Sequence, residues 1–177
     1  MKKLIIVFFF WFYAFEGYGQ NLKSETGYVK FYSSALIEDI TAENKEASAY
    51  FNPETREAVF LIPIAGFEFE KSLMQEHFNE NYMESEKYPE AYFKGKISGF
   101  RPDQAESPVI AEGEMTIHGV TKEIRVPGKI FRSGNSLRME AIFNVALVDY
   151  QVEIPKLMFQ KIAEKVEVTT KFEFQYP

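Results

Sequence analysis

Apolar residues recur at every second position through most of this chain, the pattern of strands that bury one face and solvate the other. Residues 165–174 carry it most clearly: Val166, Val168, Thr170, Phe172 and Phe174 share one face. The same alternation predicts strands over 27–33, 45–51, 57–64, 67–70, 91–100, 109–117, 120–131 and 137–145. Asn52-Pro53-Glu54-Thr55, a polar loop with Pro102 and Pro108, His118-Gly119, and Ser133-Gly134-Asn135-Ser136 supply the turns between them. Ile154-Pro155-Lys156 breaks the chain before a short helical turn predicted over 157–163.

One stretch changes period. Over about 72–86, Met74, Phe78 and Tyr82 fall on one apolar face at helical spacing, opposite Glu76, Glu80 and Glu84. Ser72 with Gln75 fits a capping box, and Pro89 disfavours a helical Tyr88. Phe78 lies between the other two apolar residues, so it is expected to be the most buried. A lone helix within serial antiparallel hairpins suits an all-β fold in which it closes one side of a barrel. Eight strands leave an interior that side chains fill or that holds one small ligand. Small residues sit in phase with large ones on the predicted inner faces: Ala47 and Ala49 with Phe51, Gly95 with Phe93, Ala111 and Gly113 with Met115, and Ala141 with Met139. That alternation either tapers a filled interior or leaves a cavity.

The N-terminus stands apart. Lys2-Lys3, an unbroken apolar run from Leu4 to Phe15, and Gly17-Tyr18-Gly19 form a secretory signal peptide over 1–19, leaving 20–177 as a single exported domain. The run is shorter than the roughly 20 residues a membrane span needs, and no other segment is apolar enough to be one. The destination is the periplasm, with the extracellular medium as the alternative.

Cysteine is absent, so the domain has neither disulfides nor a thiol nucleophile. Net charge is −6 with both signs interspersed, which disfavours nucleic acid and anionic membrane surfaces as partners. The chain has 18 Phe and 10 Tyr, and even with those in 1–19 discounted the domain is rich in large side chains with which to build walls.

Several segments in order are similar to those of the YceI-like family. They are Gly27-Tyr-Val-Lys-Phe-Tyr-Ser-Ser34, Phe67-Glu-Phe69, Leu73-Met-Gln-Glu-His-Phe78, Lys87-Tyr-Pro-Glu-Ala-Tyr-Phe-Lys-Gly95 and Gly113-Glu-Met-Thr-Ile-His-Gly-Val-Thr-Lys122. The last resembles the family's Gly-x-Leu-Thr-(hydrophobic)-(His/Asn)-Gly-Val-Thr-Lys turn. At the helix start, Lys71-Ser-Leu-Met-Gln-Glu-His77 replaces the family's Arg-Asp-x-His-Leu type segment. The resemblance implies an eight-stranded antiparallel, lipocalin-like barrel, exported, with an elongated apolar cavity that accepts polyisoprenoid-type lipids such as quinones. The family's ligand contacts carry no signature motif. The candidate pocket residues are therefore the inward-phased ones: Phe31, Phe69, Met74, Phe78, Tyr82, Phe93, Ile97, Gly113, Met115, Ile124, Met139, Phe143, Val168 and Phe172.

Other chemistries find less support. Glu76, His77, Glu80 and Glu84 could be read as a metal site on one helix, but they also form an ordinary solvated face, and transition metals prefer more than one imidazole or soft ligand. His118 is the only other histidine and falls in a hairpin turn. No nucleophile–base pair or phosphate loop is present, so the chain is read as a non-enzymatic lipid binder without a cofactor of its own. The alternatives are a filled barrel acting as a secreted interaction or stress-related accessory protein and, more weakly, a metal-assisted enzyme. The signal-peptide reading has a direct check: intact-mass measurement of exported protein should give a chain beginning at Gln20, and retention of 1–19 would refute it.

Overall fold

A computed structural model describes residues 21–34, 39–154 and 163–176. The predicted signal peptide and nearly all of the helical turn predicted over 157–163 lie outside those residues. Ten strand segments follow in order: β1 (Leu22–Ser33), β2 (Ile40–Asn44), β3 (Ser48–Phe51), β4 (Glu57–Pro63), β5 (Phe67–Phe69), β6 (Glu90–Ser98), β7 (Glu106–Ile117), β8 (Val120–Ser133), β9 (Ser136–Ala146) and β10 (Lys165–Gln175). Antiparallel pairing runs β1–β3–β4–β6–β7–β8–β9–β10, and β10 returns to β1, so the sheet closes into an eight-stranded barrel.

The two extra segments are halves of kinked strands. β2 and β3 both pair with β1, Ile40 to Asn44 against Ser33 to Val29 and Tyr50-Phe51 against Lys23-Leu22. β4 and β5 repeat this arrangement against β3 and β2. One fully buried side chain joins the two kinks. Asn44 donates from Nδ2 to the Pro63 carbonyl at 2.7 Å, and its Oδ1 accepts from the Glu46 N–H at 2.8 Å. The chain at Ala47 then leans over β1 at Gly27, where a Cβ would stand 2.0 Å from the Ala47 carbonyl oxygen. Only glycine fits there. Alternation extended the prediction across this kink as one strand over 45–51; residues 45–47 are instead a bend, and β2 before it was not anticipated.

Apart from the kink beside Gly27, hydrogen bonding of the wall stops in two places among the described residues. β4 pairs with β6 only as far as Pro63↔Glu90, so β5 has no partner on that side. β8 pairs with β9 only from Gly128↔Ala141 to Ser133↔Ser136, so residues 120–127 and 142–146 face each other without a ladder. Each notch holds a non-strand segment. Helix α1 (Ser72–His77) and the π-turn Phe78–Tyr82 occupy the first. In the second lie the 3₁₀ turn Leu147–Tyr150 and Val152, which pack on Val145 and Val166 and against Ile117, Val120 and Ile124. The prolines respect this plan. Pro127 sits just before the β8–β9 ladder begins, and Pro108 lies in β7 beyond the last β6 pair, Ser98↔Ile110, rather than in a loop. Neither removes a ladder bond.

The helix is shorter than the predicted 72–86. Lys71 rather than Ser72 occupies the N-cap, and the Gln75 side chain reaches back to the Phe69 N–H (3.4 Å) instead of closing a capping box. In the π-turn the Met83 N–H bonds the Phe78 carbonyl at 2.8 Å, which adds a residue to the turn and swings Met83 inward. Met83 is consequently the buried residue of this segment, while Phe78, expected to be the most buried, is only half-buried.

At the lower end, which carries the β3–β4 turn, Phe51, Leu137, Phe172 and Phe174 are almost wholly buried and Phe51 stacks edge-on to Phe100. Phe172 lies 4.9 Å from Phe60 between ring centroids. Phe172→Ala should cost about 3–5 kcal/mol, the range for large aromatic deletions in packed cores. Urea denaturation of the two proteins measures it, and a change below about 1 kcal/mol would mean that this end is not packed core.

Candidate functional site

Above the sealed end the barrel encloses a cavity of about 450 Å³. Its size follows from what the inner faces lack. Ala111, Gly128 and Ala141 line it where longer side chains would reach the axis. The sequence-predicted residues arrive from every side: Phe31 on β1, Phe69 on β5, Met74 on α1, Phe78 and Tyr82 on the π-turn, Phe93 and Ile97 on β6. Met115 on β7, Ile124 on β8, Met139 and Phe143 on β9, and Val168 and Phe172 on β10 complete the set in the wall.

Gly113 is not in that wall. It stands opposite Gly95 in the β6–β7 ladder, where a Cβ would meet the Lys94 carbonyl oxygen at 2.4 Å and the Gly95 Cα at 2.5 Å. Its smallness serves the close approach of two strands, and Ala111 is the small residue of β7 that borders the cavity. Phe60, Ile62 and Ile64 also line it. Their alternation within 57–64 is a sufficient signal, of the same kind that marks Phe31 and Val168.

Four rings gather where the helix meets the barrel. Phe78 lies 5.6 Å from Phe31, 5.5 Å from Phe67 and 5.0 Å from Phe69 between centroids. The polar groups in the lining are few, and several are concentrated at that end. Lys71, Leu73 and His77 on or beside α1 bound the cavity where it reaches the surface. Ser33 borders it too, its hydroxyl accepting the Ala163 N–H at 2.9 Å. Burial raises the Tyr82 phenol above its ordinary value, so it stays a neutral donor at physiological pH. A second approach lies at the fork of β8 and β9, where exposed Lys129 and its cross-strand partner Glu140 also touch the cavity. Such an interior, apolar with sparse polar groups, binds by area and shape rather than by an array of hydrogen bonds.

His118 has a more specific place than a turn residue needs. It takes the left-handed conformation (φ 51°) in the β7–β8 turn, with its Nε2 2.9 Å from Glu84 Oε2 and its Nδ1 3.3 Å from the Tyr150 carbonyl oxygen. Tyr88 packs edge-on at 4.6 Å, and Lys87 Nζ lies 4.0 Å from the same Glu84 oxygen. Burial, with the Asp149 charge second, pushes the Tyr150 phenol up to about 12. Glu84 is thus drawn toward the β7–β8 turn while Glu76 and Glu80 face solvent. Among the described residues no group of three or more His, Cys, Asp or Glu is placed to hold a metal ion. No described helix is long and apolar enough to cross a membrane.

Comparison with known proteins gives one consistent picture. A family model, the YceI-like domain, matches residues 21–174. No curated protein sequence matches. Among solved structures, BcnA of Burkholderia cenocepacia superposes with a TM-score of 0.71 at 17% identity, over 83% of this chain and 95% of that one. A polyisoprenoid binding domain from Saccharophagus degradans, implicated in plant cell wall breakdown, gives 0.71 at 16% identity over 88% and 98%. The Campylobacter jejuni YceI protein gives 0.64 at 16% over 81% and 89%. At these identities the likeness is one of fold: the closed, lipocalin-like barrel.

The two small residues of β7 can be told apart. Gly113→Ala should destabilise the fold by about 1–3 kcal/mol through strand crowding, leaving the cavity of the folded protein open. Ala111→Phe should fold and lose most of its capacity for the uncharged fluorescent probe N-phenyl-1-naphthylamine. Denaturation and probe titration of both variants check this, and the reverse pattern would return Gly113 to the cavity.

Proposed function

The chain belongs to the YceI-like domain family, and on that premise we propose that it is an exported, non-catalytic carrier of a long isoprenoid or similar apolar chain, quinone-like in character. The observation that carries this reading is the cavity of about 450 Å³ walled by Phe, Met, Ile and Val from every strand but β3. That volume falls within the roughly 300–1,000 Å³ of small-molecule sites. It also weighs against a filled barrel serving only as an interaction module.

Magnitudes select the ligand class. Association costs roughly 4–15 kcal/mol before any surplus remains. Each buried CH₂ returns about 0.8 kcal/mol, so a five-carbon isoprene unit returns on the order of 3–4 kcal/mol when enclosed. One or two units barely break even; a chain of four or more binds usefully. The apolar tail points toward Phe172 and Ile97 at the floor. The head lies near Lys71 and His77, where cations and donors meet water. The sequence-predicted signal peptide supports delivery of the domain to the periplasm, and the polyisoprenoid binding by the Saccharophagus domain supports the ligand class.

Mass spectrometry of an organic extract of the purified protein tests the reading: a co-purifying long-chain lipid supports it, and a clean extract from protein that also refuses added isoprenoid overturns it. Phe78→Ala refines the test. Because this ring packs against three others and also faces the cavity, the delipidated variant should lose less than the roughly 3–5 kcal/mol of a fully packed phenylalanine. The remaining loss should appear as weaker lipid affinity in titration.

A further inference from the structure

We propose that His118 is a positioning residue that fastens both plugs of the barrel wall over the cavity, and that loss of its proton loosens them and speeds ligand exchange. The inference rests on the carrier reading above for its ligand, and on the geometry of the turn for its mechanism. His118 belongs to the hairpin standing between the two notches. Its Nε2 holds Glu84, just beyond the helical plug, and its Nδ1 holds the Tyr150 carbonyl of the 3₁₀ plug. Met83 beside Glu84 and Tyr150 itself are buried in one apolar cluster with Phe93 and Met115, which line the cavity, so these two anchors continue directly into its wall.

The chemistry of the partners sets the protonation required. A carboxylate and a backbone carbonyl only accept hydrogen bonds. Both ring nitrogens must therefore carry hydrogen for both bonds to exist, which only the imidazolium does. The neutral ring has one N–H, so it keeps one plug and turns a lone pair toward an oxygen of the other. Histidine is the side chain that makes this change near neutrality. The other charged or titratable neighbours are Lys87, which shares the Glu84 carboxylate, Tyr88 packed edge-on, and Asp149 beside Tyr150. The Tyr150 phenol remains neutral throughout the relevant range. With one side chain tying two elements, the protonated state holds the wall shut and the neutral state frees one flap.

The test measures release of N-phenyl-1-naphthylamine from the protein into excess phosphatidylcholine vesicles by stopped flow. Across a pH series that takes the imidazole from doubly to singly protonated, the wild-type release rate should rise about tenfold, the worth of one charge-assisted hydrogen bond. His118→Gln should release quickly and without pH dependence. A second arm needs no ligand. The ¹⁵N resonances lost in His118→Gln should report two N–H groups at the low end and one at the high end, as amide-exchange protection falls in 78–84 or 147–152. A flat wild-type profile, a His118→Gln variant that titrates like wild type, or a single N–H across the whole range would overturn the proposal. If the wild type takes up no probe, the carrier reading fails, and the imidazole and exchange measurements alone decide whether His118 fastens the plugs.

Discussion

A barrel wall made of strands must satisfy its backbone groups along every seam, and among the described residues this one breaks off at the kink beside Gly27 and, more widely, at two notches. That unfinished hydrogen bonding governs the upper half of the molecule. Where the β4–β6 and β8–β9 ladders end, strands part, and the openings must be covered by segments that satisfy their own backbone locally. A helix with a π-turn and a 3₁₀ turn do so, and each brings apolar side chains to the interior as it closes the gap. The cavity is thus bounded partly by a rigid sheet and partly by two short elements whose attachment depends on side chains.

Buried Asn44 sets the first notch. By bonding Pro63 across to the neighbouring strand, it fixes the two kinks at one level and directs β2 and β5 away from β6. Were both strands straight, β5 would continue the β6 ladder and leave no place for α1. Removal of a partner from such a site leaves an unsatisfied buried amide or carbonyl, whose cost exceeds the net worth of the bond itself. Specification of the opening therefore rests on a polar residue inside an otherwise apolar wall.

Strand identity and inward phase were legible because alternation is a local property. Val166 to Phe174 announce their burial without reference to any other segment, and the last strand lies where its pattern puts it. What stayed hidden depends on residues distant in sequence. The kink at 45–47 comes from Asn44 meeting Pro63 and from Gly27 admitting Ala47; period-two hydrophobicity passes through both unbroken. Gly113 and Ala111 share a phase, yet only the register with Gly95 distinguishes a glycine needed between strands from a small residue facing a cavity. The single added residue of the π-turn likewise moves Met83 inside where an α-helical wheel put Phe78 deepest. His118 was recognisable as a turn residue, but its two partners lie 34 and 32 residues away.

The packed lower end has a consequence for logistics. Phe51, Phe100, Leu137 and Phe174 make the barrel a vial rather than a pipe, stoppered at its lower end. In the proposed carrier role, cargo cannot be threaded through that end from one neighbour to another. Donor and acceptor must each reach the contents above the floor, so any direction of traffic comes from the order of those encounters and from the acceptor's appetite for the chain. A fleet of such vials in that proposed role would level out a lipid pool in the manner of a buffer, where a pipe would drain it.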